Sequence, residues 1–376
     1  MKVSLRQLAL AMAGAGMLTI HGCGGGSGDT APPPTSEVAS LPAYLLTQPA
    51  SSNCAALRSG TYNQILLVPD GPGFPDKISK FVIDAAAGTW NVGASSTALI
   101  ASGESCHYTM TGGTEFVVSP AGVMVIRFGR SLTKYLGIAL PEQAFKLADM
   151  AGTWNSLGMD SKDPLVNEGV ASTIAIDSAG NISSHTLCRN PATWDVTGCA
   201  ATTVGPTSIK ENSDGGFDAI DPLTGDVTRI FAYKAGNGDV MGVRISALGL
   251  FDVFTMRRTN NLPTVGTVTS HWNLQMNALL TSPDAINAFT STIKTVGTGS
   301  WTRVQKTVGG DDDHEETLKA NTPRDGYTFR AAGTALATNG TTVEFSEFTS
   351  LNLRGMGVSP LIYPASKRFA FSVNQP

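Results

Sequence analysis

The side chains that could do chemistry are few and scattered. His314-Glu315-Glu316 opens like the His-Glu-x-x-His of a zinc-binding helix, where two histidines one turn apart hold the metal and the glutamate acts as base. The second histidine would fall at position 318, which is Leu318, so the ligand set is incomplete. Asp311, Asp312, Asp313, Glu315 and Glu316 could gather oxygens around Ca²⁺. They lack the alternating spacing and turn glycine of an EF-hand loop, and read as a solvated hairpin tip. Ser131-Leu132-Thr133-Lys134 and Ser291-Thr292-Ile293-Lys294 have the Ser-x-x-Lys spacing that sets a nucleophile beside a lysine at a helix start. The companion motifs are absent, and Ile293 falls in a run that reads as a strand. No Gly-x-Ser-x-Gly elbow and no phosphate loop ending in Lys-Ser or Lys-Thr occurs. His107, His185, His271 and His314 lie in different segments, and Asp84, Asp177, Asp221 and Asp226 sit at turns, where Asp bonds its own backbone. The residues therefore assign no catalytic group, no metal ligand and no cofactor.

The N-terminal segment says more about where the chain resides. Lys2 and Arg6 precede an apolar run from Leu8 to Ile20, followed by His21-Gly22-Cys23 and then Gly24-Gly25-Gly26-Ser27-Gly28. A charged start, a short apolar core and a small residue before a cut read as an export signal. The run is too short to span a bilayer, which needs roughly 20 apolar residues. Ile20, Gly22 and Cys23 resemble the signal and lipid-attachment site of bacterial lipoproteins, with His21 a departure from that pattern. The resemblance implies that residues 1–22 are removed and that Cys23 becomes an acylated N-terminus. Gly24, in place of an acidic retention residue, implies the outer membrane. The alternative is an ordinary secreted protein cut nearby. Residues 23–48 then form a lipidated cysteine and flexible tether. Its Gly, Ser, Thr and Pro cannot bury enough surface to fold. Fully extended, residues 24–40 reach roughly 50–60 Å.

Without residues 1–22 the chain carries 24 basic and 30 acidic side chains, a net charge of −6. That balance does not suit a nucleic-acid partner, which favours a basic patch. The four remaining cysteines, Cys54, Cys106, Cys188 and Cys199, suit disulfides in an exported chain. Of the three possible pairings, Cys54–Cys106 and Cys188–Cys199 keep each bridge within one module. No Cys or Cys/His spacing suggests zinc.

The elements that must position these residues are strands. Phe116-Val117-Val118 meets Val123-Met124-Val125-Ile126 across Ser119-Pro120-Ala121-Gly122, and Phe217–Ile220 meets Val227–Phe231 across a Pro- and Gly-bearing loop. Short β-rich runs between Gly, Pro, Asn and Asp are hairpin signals. Two short helices are expected, over Leu140–Met150 and Asn277–Thr290. A repeat runs through the chain: Tyr62-Asn63, Trp154-Asn155 and Trp272-Asn273 each open a unit. Each is followed by an alternating strand and Gly-bearing turn at Ile83, Ile176 and Ile293. Met241-Gly242-Val243 echoes Met356-Gly357-Val358, and Phe251–Phe254 echoes Phe369–Phe371. The expected fold is all-β: three tandem antiparallel modules over residues 49–148, 149–260 and 261–376, built as small meander barrels or sandwiches. Gly152-Thr153-Trp154 resembles the Gly-x-Trp that opens lipocalin- and avidin-like β-barrels, which implies a barrel architecture.

Trp90, Trp194 and Trp301 read either as core plugs or as a binding surface beside a braced hairpin. The leading functional expectation is an exported, membrane-anchored lipoprotein with a binding or assembly role in the cell envelope. Its expected partners are the membrane, through the anchor, and an envelope protein or small ligand. The alternatives are an envelope hydrolase, acting on glycan or another polymer, and a structural spacer.

Overall fold

A computed structural model describes residues 41–67, 77–130, 133–163, 166–190, 196, 202–203, 207–221, 225–246, 250–277, 286–307, 313–337, 339–353, 355–363 and 366–375. The chain is all-β, with one short helix, Ala43–Leu46, and one 3₁₀ turn, Leu147–Met150. Cys23, Trp194 and Cys199 lie outside the described residues.

Three large antiparallel sheets follow one another along the chain, two of nine strands and one closed barrel. All three are meanders whose first strand pairs with the last. Gly60–Leu67 pairs with Thr133–Pro141, Gly152–Asp163 with Leu250–Met256, and Val268–Asn277 with Ser366–Asn374. In the first sheet the two edges are Ser95–Ala98 and Ile100–Ala101, which are neighbours in the chain. The sheet therefore curls round until its edges meet at Leu99, and little edge is left to template pairing with another chain. Thr202–Thr203 and Ser208–Glu211 form the corresponding edges of the second sheet. The third closes fully, with the hairpin Gly333–Leu336 and Thr342–Phe345 inserted before Glu347–Leu353.

Both expected hairpins form, Thr114–Val118 with Met124–Arg130 and Phe217–Ile220 with Val227–Lys234. Of the expected helices, the one over Leu140–Met150 does not form, and residues 278–285 of the one over Asn277–Thr290 lie outside the described residues. Leu140 lies in the strand Thr133–Pro141 and only Leu147–Met150 coils, while Asn277 and Asn287–Thr290 belong to paired strands. β-branched and aromatic residues on either side and a partner strand for each backbone override the local helix signals.

The repeat holds for strand position and fails for face. Tyr62, Trp154 and Trp272 each lie on the first strand of their sheet, opposite Pro141, Met256 and Val373. Gly60 pairs with Ile83 and Gly152 with Ile176, but in the third sheet Ser270 pairs with Thr290, not Ile293. Trp154 points into the second sheet's interior, among Ile174, Ile230 and Phe254. Trp272 points outward, and its neighbour Asn273 points in, because a one-residue slip reverses every side chain of a strand.

The outer faces of the sheets share one apolar core. Ile138 and Leu140 of the first sheet, Leu157, Val243 and Phe251 of the second, and Leu274, Val358 and Phe371 of the third belong to it. At the junction lies the turn Ser119–Gly122. It is fully buried although it is a hairpin tip. Tyr233 Oη donates to Ala121 O at 2.6 Å from the second sheet. From the third, Gly355 (φ +76°) approaches Pro120 so closely that a Cβ there would sit 2.8 Å from the Pro120 ring. Each pair of sheets is also bonded directly: Gln143 accepts from Lys234 N at 2.7 Å, Tyr327 Oη donates to Ser156 O at 2.9 Å, and Trp272 Nε1 donates to Glu104 Oε2 at 2.8 Å. Burial pushes the Tyr327 phenol up to about 12, against the opposing pull of Arg324, so it remains a neutral donor.

Candidate functional site

Each sheet encloses a different interior. The first is filled by aromatic rings. Tyr62 stacks on Phe81, Phe81 on Trp90 with centroids 3.5 Å apart, and Trp90 tilts against Phe116. Trp90 is thus a core plug. Cys54 and Cys106 form a disulfide in this sheet. Cys188 is buried in the second sheet and is itself disulfide-bonded.

The second interior is apolar around Trp154, whose Nε1 donates to Met150 O at 2.9 Å. Further along the same face lies a closed polar network. Ser156 Oγ bonds Ser172 Oγ and donates to Asp252 Oδ2 at 2.9 Å, while the Arg244 guanidinium grips Asp252 with Nε and Nη2. Each member uses another, so the network reads as structural.

The third interior is lined by many buried polar and charged side chains. On Val268–Asn277, Trp272, Leu274 and Met276 face the shared core, and His271, Asn273 and Gln275 face into the barrel. Cross-strand pairing carries the polar lining round the wall: Ser291 lies opposite Gln305, Gln305 opposite His314, Arg303 opposite Glu316, and Thr328 opposite Ser350. Trp301, Leu318, Phe348 and Leu361 form an apolar plug within it.

At the centre of this lining Glu316 lies between two arginines. Arg303 Nε donates to Glu316 Oε1 at 2.5 Å, and Arg330 Nη1 bonds Glu316 Oε2. Arg330 Nε and Nη2 donate to Ser346 O at 3.1 and 2.8 Å. All three charged side chains are 2 % exposed or less. Burial alone would raise the Glu316 carboxyl, but the Arg303 and Arg330 charges hold it well below the ordinary carboxylate value. Burial lowers Arg303, and the Arg330 charge adds to this against the pull of Glu316. Phe345, from the inserted hairpin, stacks on His314 with centroids 5.6 Å apart and lies 5.0 Å from the Arg330 guanidinium. Phe348 lies 4.5 Å from the same guanidinium. Arg330 is thus held between two aromatic faces.

Around the triad, side-chain atoms of Asn273, Gln275, Ser291, Gln305, Thr328 and Ser350 are buried and have no hydrogen-bond partner among the described residues. Buried polar atoms in native proteins nearly always have one, so each of these calls for an explanation.

The motifs singled out in the sequence resolve as follows. His314 and Glu316 lie on a strand, not a helix, and both face in, whereas Glu315 faces out and pairs with Lys294 at 2.6 Å. Asp313 is buried and pairs with Lys306 at 3.2 Å, which departs from a solvated tip; Asp311 and Asp312 lie outside the described residues. Ser291 is buried while Lys294 faces solvent, so no Ser–Lys pair forms there. Asp177 accepts from Asn181 Nδ2, Asn181 N and Ala179 N, bonds that hold its carboxyl below the usual value. His107 bridges Glu115 Oε1, 2.8 Å from its Nε2, and Glu104 Oε2, 3.4 Å from its Nδ1. Among the described residues no group of three or more His, Cys, Asp and Glu side chains is placed to hold a metal ion.

Fold and site together define a class: tandem meander β-barrels, one with a polar, charge-centred interior. No protein-family model matches the chain, and neither does any curated protein.

Proposed function

We propose that this chain is an exported lipoprotein, held at the outer membrane by acyl chains on Cys23, whose β-barrels carry a binding role in the cell envelope. The anchor reading rests on Lys2, Arg6, the apolar run to Ile20 and the Cys23 site. Several acyl chains hold a protein firmly where one holds it only marginally. The binding reading rests on one observation: the closed barrel buries polar atoms that no group among the described residues satisfies. Such atoms cost stability unless something else bonds them. The hydrolase alternative needs free, convergent acids. The deeply buried carboxylates Asp252 and Glu316 are each bound by arginine and are poor candidates for proton transfer. A pure spacer would gain stability from a dry, apolar interior and has no use for this one.

Cys23→Ser tests the anchor. The wild-type chain should sediment with membranes and the variant should fractionate as a soluble exported protein; a variant that stays with the membrane refutes lipidation at Cys23. Saturation-transfer NMR of the soluble variant against a small-metabolite library tests the binding role. A folded chain that contacts no member of the library supports the spacer instead.

A further inference from the structure

We infer that Ser291 and Gln305 become joined by an ester bond, which the chain forms within its own closed barrel. The inference is independent of the binding reading, which keeps Asn273, Gln275, Thr328 and Ser350.

Strand register brings the reacting groups together. Ser291 lies directly opposite Gln305, and Gln305 lies opposite His314 on the next strand. All three side chains are buried in the barrel, Ser291 and Gln305 at 1 % exposure each. Directly opposed residues have Cβ atoms about 4.5–5.5 Å apart. The link Cβ–Oγ–Cδ–Cγ–Cβ of a serine–glutamine ester is long enough to bridge that gap.

The state of these atoms is the second observation. Ser291 Oγ and both Gln305 amide atoms, Oε1 and Nε2, are buried beyond the reach of water. None has a hydrogen-bond partner among the described residues, and they do not bond each other. As free side chains they bury a hydroxyl donor and an amide NH₂ with nothing to accept from them. Native interiors nearly always avoid this. Ester formation removes all of these donors at once and leaves only acceptor oxygens.

The step balances without any outside reagent. Ser291 Oγ attacks Gln305 Cδ and gives up its proton. The tetrahedral adduct expels the amide nitrogen, which takes that proton and leaves as ammonia. One O–H and one C–N bond break, one C–O and one N–H bond form, and nothing is oxidised or reduced. His314, on the other side of Gln305 from Ser291, is the group placed to carry the proton. Glu316 Oε2 lies 3.6 Å from its Nε2 and Phe345 stacks on its ring, so the imidazole is held in place. The Glu316 carboxylate also offsets the charge that the ring takes up in transit, as the acid of a catalytic triad does. Holding a nucleophile beside its carbonyl is worth an effective concentration of about 10⁵–10⁸ M when the geometry is right. Ammonia escapes as the strands assemble, and the closed interior then keeps water from the ester.

The neighbouring polar pairs set this one apart. Thr328 faces Ser350, two hydroxyls with no carbonyl carbon to attack. Asn273 faces Ser372, but of that amide only Oδ1 is buried without a partner. In the second sheet Ser156 and Ser172 bond each other, and Ser156 donates to Asp252, so those hydroxyls are satisfied.

The test uses the full chain carrying Cys23→Ser, with its disulfides reduced and alkylated. Intact mass spectrometry should find the mature chain lighter than its sequence by one ammonia. Trypsin cuts after Lys294, Arg303 and Lys306, so Ser291 and Gln305 fall in separate peptides, and tandem spectra should show these two joined. Mild base should part them by adding water, leaving serine at 291 and a glutamate at 305. Ser291→Ala and Gln305→Met should each abolish the loss of ammonia. His314→Gln should slow linkage after synthesis by about 10²–10⁴-fold, the usual contribution of a placed proton carrier. A parent chain with the full mass of its sequence overturns the proposal, and this measurement needs no barrel variant to fold. Ammonia loss that survives Ser291→Ala overturns it too, as a succinimide at Asn237-Gly238 or Asn339-Gly340 would produce. Linkage at the parent rate in His314→Gln overturns the role given to His314.

Discussion

Removing the Glu316 carboxylate is the sharpest perturbation of the closed barrel. Glu316→Gln keeps the shape of the side chain and leaves the Arg303 and Arg330 guanidiniums facing each other without their shared counter-charge. Breaking a buried ion pair by removing one partner costs about 3–5 kcal/mol, because the surviving charge is buried and uncompensated. For a chain of this size about 2 °C is lost per kcal/mol, so calorimetry should register a fall of about 6–10 °C. Replacing the whole triad, as Arg303→Met/Glu316→Leu/Arg330→Met, should cost less than the single change, since apolar residues of similar volume often match a buried ion cluster in stability. The pH dependence has a definite sign. The folded-state Glu316 carboxyl titrates well below its ordinary value of 4.5. Its contribution is therefore fully present above that value and is lost as pH falls through the depressed folded value. The wild-type chain should lose stability in acid below that ordinary value, and Glu316→Gln should flatten this limb. A Glu316→Gln variant within about 0.5 kcal/mol of wild type, or a triple variant worse than the single one, would refute the reasoning.

Other perturbations probe the junction and the bridge. Tyr233→Phe removes the phenol that donates to Ala121 O and should cost about 1 kcal/mol in urea denaturation. Cys54→Ala/Cys106→Ala opens a loop of sequence separation 52 and should cost up to about 4 kcal/mol, measured against the oxidised chain without reductant. Gly158→Ala would drive a methyl into the Phe251 carbonyl and Asp252 Cβ; a melting temperature lowered by several degrees is expected, with overpacking worth about 1–3 kcal/mol.

Much of the fold was legible because strands announce themselves by alternation and by their turns. Phe116–Ile126 and Phe217–Phe231 are examples, each forming the expected hairpin. Alternation gives the period of a strand but not which face is inside. His271, Asn273 and Gln275 alternate with Trp272, Leu274 and Met276. The ordinary reading puts the apolar set inside the barrel and the polar set in water. Here the apolar set meets the other two sheets and the polar set is enclosed, because a barrel packed within a larger core has two buried faces. The candidate site was hidden for this reason. Its one local sign is that His314 and Glu316 alternate with the outward Glu315 and Thr317, a pattern equally compatible with a solvated strand. The helix expected over Leu140–Met150 failed because Leu140 is claimed by the strand that closes the first sheet on Asn63.

The buried turn Ser119–Gly122 bears on how many barrels such a chain can have. In solenoids each repeat touches only its neighbours, so units can be added or lost at the ends. Here the first sheet touches the third as well as the second, and the turn is enclosed by both. The arrangement closes on itself, as a cyclic trimer does, within a single covalent chain. Its copy number is then set by closure of the ring. Deleting any one barrel would uncover apolar surface on both of the others, so gain or loss of a unit would have to remake all three contacts at once.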